Sequence, residues 1–75
     1  MDNIIGNRIK ERRKALDMNQ ETLAERSNIS RARISAIENG KCKNVLVSTL
    51  TSIASALDTS VEFFLTGVLT EVNAK

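Results

Sequence analysis

Histidine, tyrosine, tryptophan and proline are absent from these 75 residues. Without histidine there is no Ser–His or Cys–His nucleophile pair and no His-containing zinc site. The one cysteine, Cys42, provides neither an internal disulfide nor a Cys-based zinc cluster. It fits a reducing compartment, and its role is left open. No apolar run approaches the roughly 20 residues that span a bilayer. The amino terminus turns polar by Gly6-Asn7-Arg8. Neither a signal peptide nor a membrane span is expected, and the expected location is the cytoplasm.

The polar residues that remain offer little to catalysis. Ser27, Ser30 and Ser35 have no histidine to activate them, and nothing brings Glu38 and Asp58 together as a carboxylate pair. Asp17, Glu21 and Glu25 lack metal-ligand spacing. A chain this short makes one domain, residues 1–75, with room for a helical cluster but not for a cleft between large layers. The expectation is a non-enzyme with no cofactor, no metal and no small-molecule ligand.

Charge is present but unevenly placed. Residues 1–45 hold ten Lys/Arg against six Asp/Glu, whereas residues 46–75 hold Lys75 against Asp58, Glu62 and Glu71. A basic front suits a polyanion and an acidic back suits a partner subunit. At this magnitude the preference for nucleic acid is slight.

Apolar spacing predicts helices throughout. The first covers about Ile4–Leu16, with Ile5, Ile9 and Leu16 inward and Ile4 beside them. Arg13 falls four residues after Ile9 and shares that inward face. The second covers Gln20–Ser27, capped by Asn19, with Leu23 and Ala24 inward. The third covers Arg31–Glu38, capped by Ser30 and stopped by Gly40. Ile34 and Ile37 form its buried stripe, and Ile29 can pack on Ile34 as a staple. The fourth covers Val47–Leu57, with Val47, Leu50, Ile53, Ala54 and Leu57 inward. A last short helix, Val61–Leu65, carries Phe63 and Phe64, and residues 66–75 form a short tail. The second and third helices, split by a tight turn, have the shape that places side chains in the major groove of DNA.

The order of these pieces resembles a known family. They are Ile5-Gly6-Asn7-Arg8-Ile9-Lys10 with Arg13, Asn19-Gln20-Glu21-Thr22-Leu23-Ala24, Ser30-Arg31 with Ile34-Ser35, and Ile37-Glu38-Asn39-Gly40-Lys41. Ile53-Ala54-Ser55-Ala56-Leu57 and Ser60-Val61-Glu62-Phe63-Phe64 complete them. Together they resemble the Cro/C1-type, XRE-like helix-turn-helix family of phage-repressor-like DNA-binding proteins, over about Ile5–Leu65. The resemblance implies an all-α, five-helix lambda-repressor-like domain. It also implies a homodimer on a palindromic double-stranded operator. Relatives of this bare form include phage repressors, restriction-modification controllers and antitoxins. The family usually carries glycine in the turns after helices one, two and four, where this chain has Asp17, Asn28 and Asp58. Asp and Asn are the non-glycine residues that best tolerate the left-handed region.

The expected DNA contacts divide by chemistry. Arg31 opens the third helix on its exposed side, where its fork fits guanine O6 and N7. Ala32 matches a family position that touches base edges, and its methyl can meet a thymine methyl. Arg33 is open to base or phosphate, and Ser35 is a modest base-edge candidate. Phosphate contacts are expected from Gln20, which resembles a family residue at the amide-rich start of helix two, and from Asn39 and Lys41, which match the family's phosphate-gripping segment. Lys43 and Arg12 are additional candidates. Arg13 and Glu38 match positions the family joins in a partly buried ion pair, and neither charge is affordable alone in the interior. Val61, Phe63, Phe64, Leu65, Val68 and Leu69 are too much apolar surface for so small a core. Phe64 is expected inward, with Phe63, Val68 and Leu69 at the dimer interface. The expected function is sequence-specific DNA binding as a small transcriptional regulator. The alternative is an antitoxin or other protein-binding module of the same fold.

Overall fold

The computed structural model describes residues 3–42 and 44–66. Five helices account for most of them: α1 (Ile4–Ala15), α2 (Gln20–Ser27), α3 (Arg31–Glu38), α4 (Val47–Ala56) and α5 (Val61–Thr66). There is no strand among the described residues. Helix α1 packs on α3 and α5, α2 packs on α3 and α4, and α4 closes on α5. Ile9, Leu23, Ile34, Ile53, Leu57 and Phe64 form the fully buried centre, joined by Ile37, Leu50, Ala54 and Met18. This is the lambda-repressor-like arrangement.

The helices start and stop for local reasons. Asn19 accepts the Thr22 N–H at 2.7 Å and Ser30 accepts the Arg33 N–H at 3.2 Å, so both have capping side chains. Helices α1 to α4 share one mode of termination. Asp17, Asn28, Gly40 and Asp58 have φ of 58°, 61°, 75° and 56°. In each case the next N–H turns back five residues: Met18 to Arg13, Ile29 to Ala24, Lys41 to Ala36 and Thr59 to Ala54. This is the Schellman closure, in which a left-handed residue returns orphan carbonyls to hydrogen bonding. Asp and Asn serve here in three turns of four.

Packing departs from the expected faces at the helix ends. Leu16 is 38% exposed, and Met18 is buried in its place. Leu16 is the residue just past α1, whereas the Schellman turn carries Met18 back onto the core. Val47, expected inward, is 71% exposed. It opens α4, whose first turn overhangs the core, and burial begins at Thr49 and Leu50. Ile4 likewise projects from the start of α1. Phe64 is fully buried as expected, Phe63 is half-buried against the core, and Leu65 is exposed.

Two further devices fix α1. A Cβ on Gly6 would collide with the Ile37 carbonyl oxygen, so glycine permits α1 to lie directly on the end of α3. On the other side, Arg8 donates to the Phe64 carbonyl at 3.2 Å. Arg12 donates to the Leu57 and Asp58 carbonyls at 3.0 and 3.2 Å. These arginines cap the carboxyl ends of α5 and α4, where a cation also meets the negative end of the helix dipole.

Candidate nucleic-acid interface

The surface of interest begins at the amino end of α3. Arg31, Ala32 and Arg33 follow the Ser30 cap and are all exposed. The first turn of α3 carries no acidic residue. Neither arginine side chain has a hydrogen-bond or ion-pair partner among the described residues. Two cations at the positive end of a helix oppose its dipole by about 0.3–1 kcal/mol each. Nothing among the described residues offsets that, but an external polyanion would.

Ser35 lies farther along α3 and is half-buried, its hydroxyl accepting a hydrogen bond from Asn39 at 3.3 Å. Asn39 and Lys41 are exposed where the chain leaves α3. Lys43, Val68 and Leu69 lie outside the described residues. At the start of α2, the backbone N–H groups of Gln20 and Glu21 have no acceptor among the described residues. Free first-turn amides are anion ligands in waiting.

Beneath this surface sits the ion pair. Arg13 Nε reaches Glu38 Oε2 at 2.8 Å and Nη2 reaches Oε1 at 3.0 Å, a two-pronged contact between side chains 9% and 0% exposed. Arg13 Nη1 also donates to the Met18 carbonyl at 2.8 Å. The Glu38 hydrogen bond raises the Arg13 guanidinium above its ordinary value, against the opposing effect of burial. Asn3 donates its amide to the Glu38 backbone carbonyl, adding a second tie from the start of α1 to the end of α3. The inner side of α3 is thus fixed to α1 while its outer side is left free.

Two expected contacts are found in different surroundings. Arg12, assigned from sequence to flanking phosphate, has its guanidinium on the α4 carboxyl end. Gln20, assigned to phosphate, also donates from Nε2 to Glu38 Oε1 at 3.0 Å and is half-buried. Sequence reasoning missed both bonds, since neither partner is near in sequence. The burial of Met18 did have a signal: the residue immediately after the left-handed one commonly packs back on the helix it closes.

A helix-turn-helix family model matches residues 9–64. The chain belongs to the Cro/C1-type, XRE-like helix-turn-helix family. An uncharacterized transcriptional regulator in the ATPase CF(0) region of Rhodospirillum rubrum is 38% identical over 64 residues. That match covers 85% of this chain and 58% of the relative, so this chain spans little more than half the length of that curated relative. Among solved structures, SinR of Bacillus subtilis, a master regulator for biofilm formation seen in complex with DNA, superposes with a TM-score of 0.78 at 33% identity. The match covers 81% of this chain and 97% of that one. The restriction-modification controller protein C.AhdI of Aeromonas hydrophila gives 0.78 at 33% identity, covering 84% of this chain and 96% of its own. No described helix of this family member is long and apolar enough to cross a membrane.

Proposed function

We propose that this helix-turn-helix chain binds double-stranded DNA sequence-specifically as a transcriptional regulator, with α3 in the major groove. One observation carries the reading. Arg31 and Arg33 stand exposed, their side chains without partners among the described residues, at the dipole-disfavoured end of a helix whose other face is fixed by a buried ion pair. SinR, alike in fold and sequence, is seen in complex with DNA, which supports DNA as the partner. Arg31, Ala32, Arg33 and Ser35 meet base edges, and Gln20, Asn39 and Lys41 meet phosphate. Arg12 is dropped from the contacts, its guanidinium being engaged by the Leu57 and Asp58 carbonyls.

The acting unit is a homodimer on a palindrome, since one recognition helix reads too few base pairs. Leu65, 57% exposed, and the half-buried Phe63 supply the described part of the apolar surface that supports this. Selection of bound sequences from random duplexes tests the whole reading. It should return an inverted repeat, and recovery of random sequence would refute it. Sedimentation at tens of micromolar should show a dimer, whereas a monomer both free and on DNA would refute the homodimer.

A further inference from the structure

We infer that Glu38 acts at the DNA surface as well as in the core, by positioning Gln20 to hold a backbone phosphate. The inference rests on the DNA-binding reading above. The Glu38 carboxylate accepts Arg13 Nε on one oxygen, and both Arg13 Nη2 and Gln20 Nε2 on the other. An ionised carboxylate only accepts, so the nitrogen edge of the Gln20 amide must face it. One amide proton is therefore directed inward. The other has no partner among the described residues. It lies in the first residue of α2, whose own backbone N–H is also free.

Three consequences follow for a phosphate. The side-chain donor is fixed before binding, so less rotamer freedom is lost on contact. The inward bond is charge-assisted, which polarises the amide and strengthens the remaining N–H as a donor. Arg13 balances Glu38, so the carboxylate behind Gln20 does not confront the phosphate as a bare like charge. Glu38 is a positioning residue in this scheme, because it acts through Gln20 and touches no DNA.

A double-mutant cycle on a random-sequence duplex separates this role from a purely structural one. Gln20→Met keeps the length of the side chain and removes its donors. Glu38→Gln keeps the size but removes the charge and leaves one acceptor oxygen where three donors converge, so Gln20 must compete for it with the charged Arg13. All affinities are measured at a temperature where circular dichroism shows every variant folded. Each single change should weaken binding roughly three- to tenfold, the worth of one hydrogen bond. The double variant should be no weaker than the poorer single. Effects that multiply would show Glu38 acting independently of Gln20 and would overturn the inference.

Side-chain amide spectra of the unaltered protein keep the test decisive if Glu38→Gln does not fold. One Gln20 Nε2 proton should be shifted downfield and slow to exchange in the free protein, and added duplex should move the other. Two protons like those of free glutamine would overturn the inference. Failure of the unaltered chain to bind any duplex would overturn the DNA reading itself, and that affinity reports it separately from the coupling.

Discussion

Helices α1 and α3 both carry arginines, and they use them in opposite ways. On α1, Arg8 and Arg12 cap the ends of α5 and α4, and Arg13 holds a buried carboxylate. On α3, the side chains of Arg31 and Arg33 have no partner among the described residues and stand in the first turn, where a cation is disfavoured. The same side chain thus serves as an internal clamp in one helix and as an exposed donor in the other. The lesson concerns position and not residue type. Arg12 and Arg13 lie in the last turn of α1 with carbonyls and a carboxylate in reach; Arg31 and Arg33 open α3 toward solvent. A cost that the fold leaves uncompensated is where a ligand is expected to act.

The comparison is broken most severely at the buried pair. Arg13→Ala or Glu38→Ala strands the other charge and should cost about 3–5 kcal/mol. At about 4–8 °C per kcal/mol for a domain of this size, thermal unfolding should fall by more than about 12 °C. Replacing both with Met or Leu should restore much of the loss. Single variants that melt like the unaltered protein would show that the pair is not a clamp. The pair should not sense ordinary changes in pH through Arg13. Its value is raised on folding, so its contribution is complete below the ordinary arginine value and is lost only as pH climbs past the raised one.

The next effect is on binding. Arg31→Ala should cost about 1–3 kcal/mol on the best operator and leave the melting temperature unchanged or slightly higher. A variant that loses stability here would place Arg31 among the clamps. Arg12→Ala should do the reverse. Loss of its carbonyl bonds should lower stability by about 1 kcal/mol, read by denaturant titration, with the affinity of folded protein unchanged. A loss of affinity without a loss of stability would return Arg12 to the phosphate surface. The smallest effect sharpens the dipole argument. Arg33→Glu should stabilise the free protein by about 0.5 kcal/mol while weakening DNA binding.

Much of this division was legible in the residues. The capping asparagine and serine set the starts of α2 and α3, and Asp17, Asn28 and Asp58 marked left-handed turns without glycine. Arg13 was informative because it broke an apolar stripe, and a charge in that position demands an opposite one. What spacing did not reveal depends on tertiary placement. Leu16 and Val47 have the right period but lie at helix ends, beyond the reach of the core. Gly6 records a helix crossing that only the partner backbone defines. Arg12 and Gln20 carry polar side chains that suit phosphate and interior acceptors equally. Periodicity places a residue on a face; it does not say what stands opposite.

The most direct test of the central claim is a selection of bound sequences from random duplexes, run in parallel with the unaltered chain and with Arg31→Ala. The account predicts an inverted repeat for the unaltered chain and loss of preference at one position in each half-site for the variant. No enrichment by the unaltered chain, or an identical motif from both proteins, would contradict it.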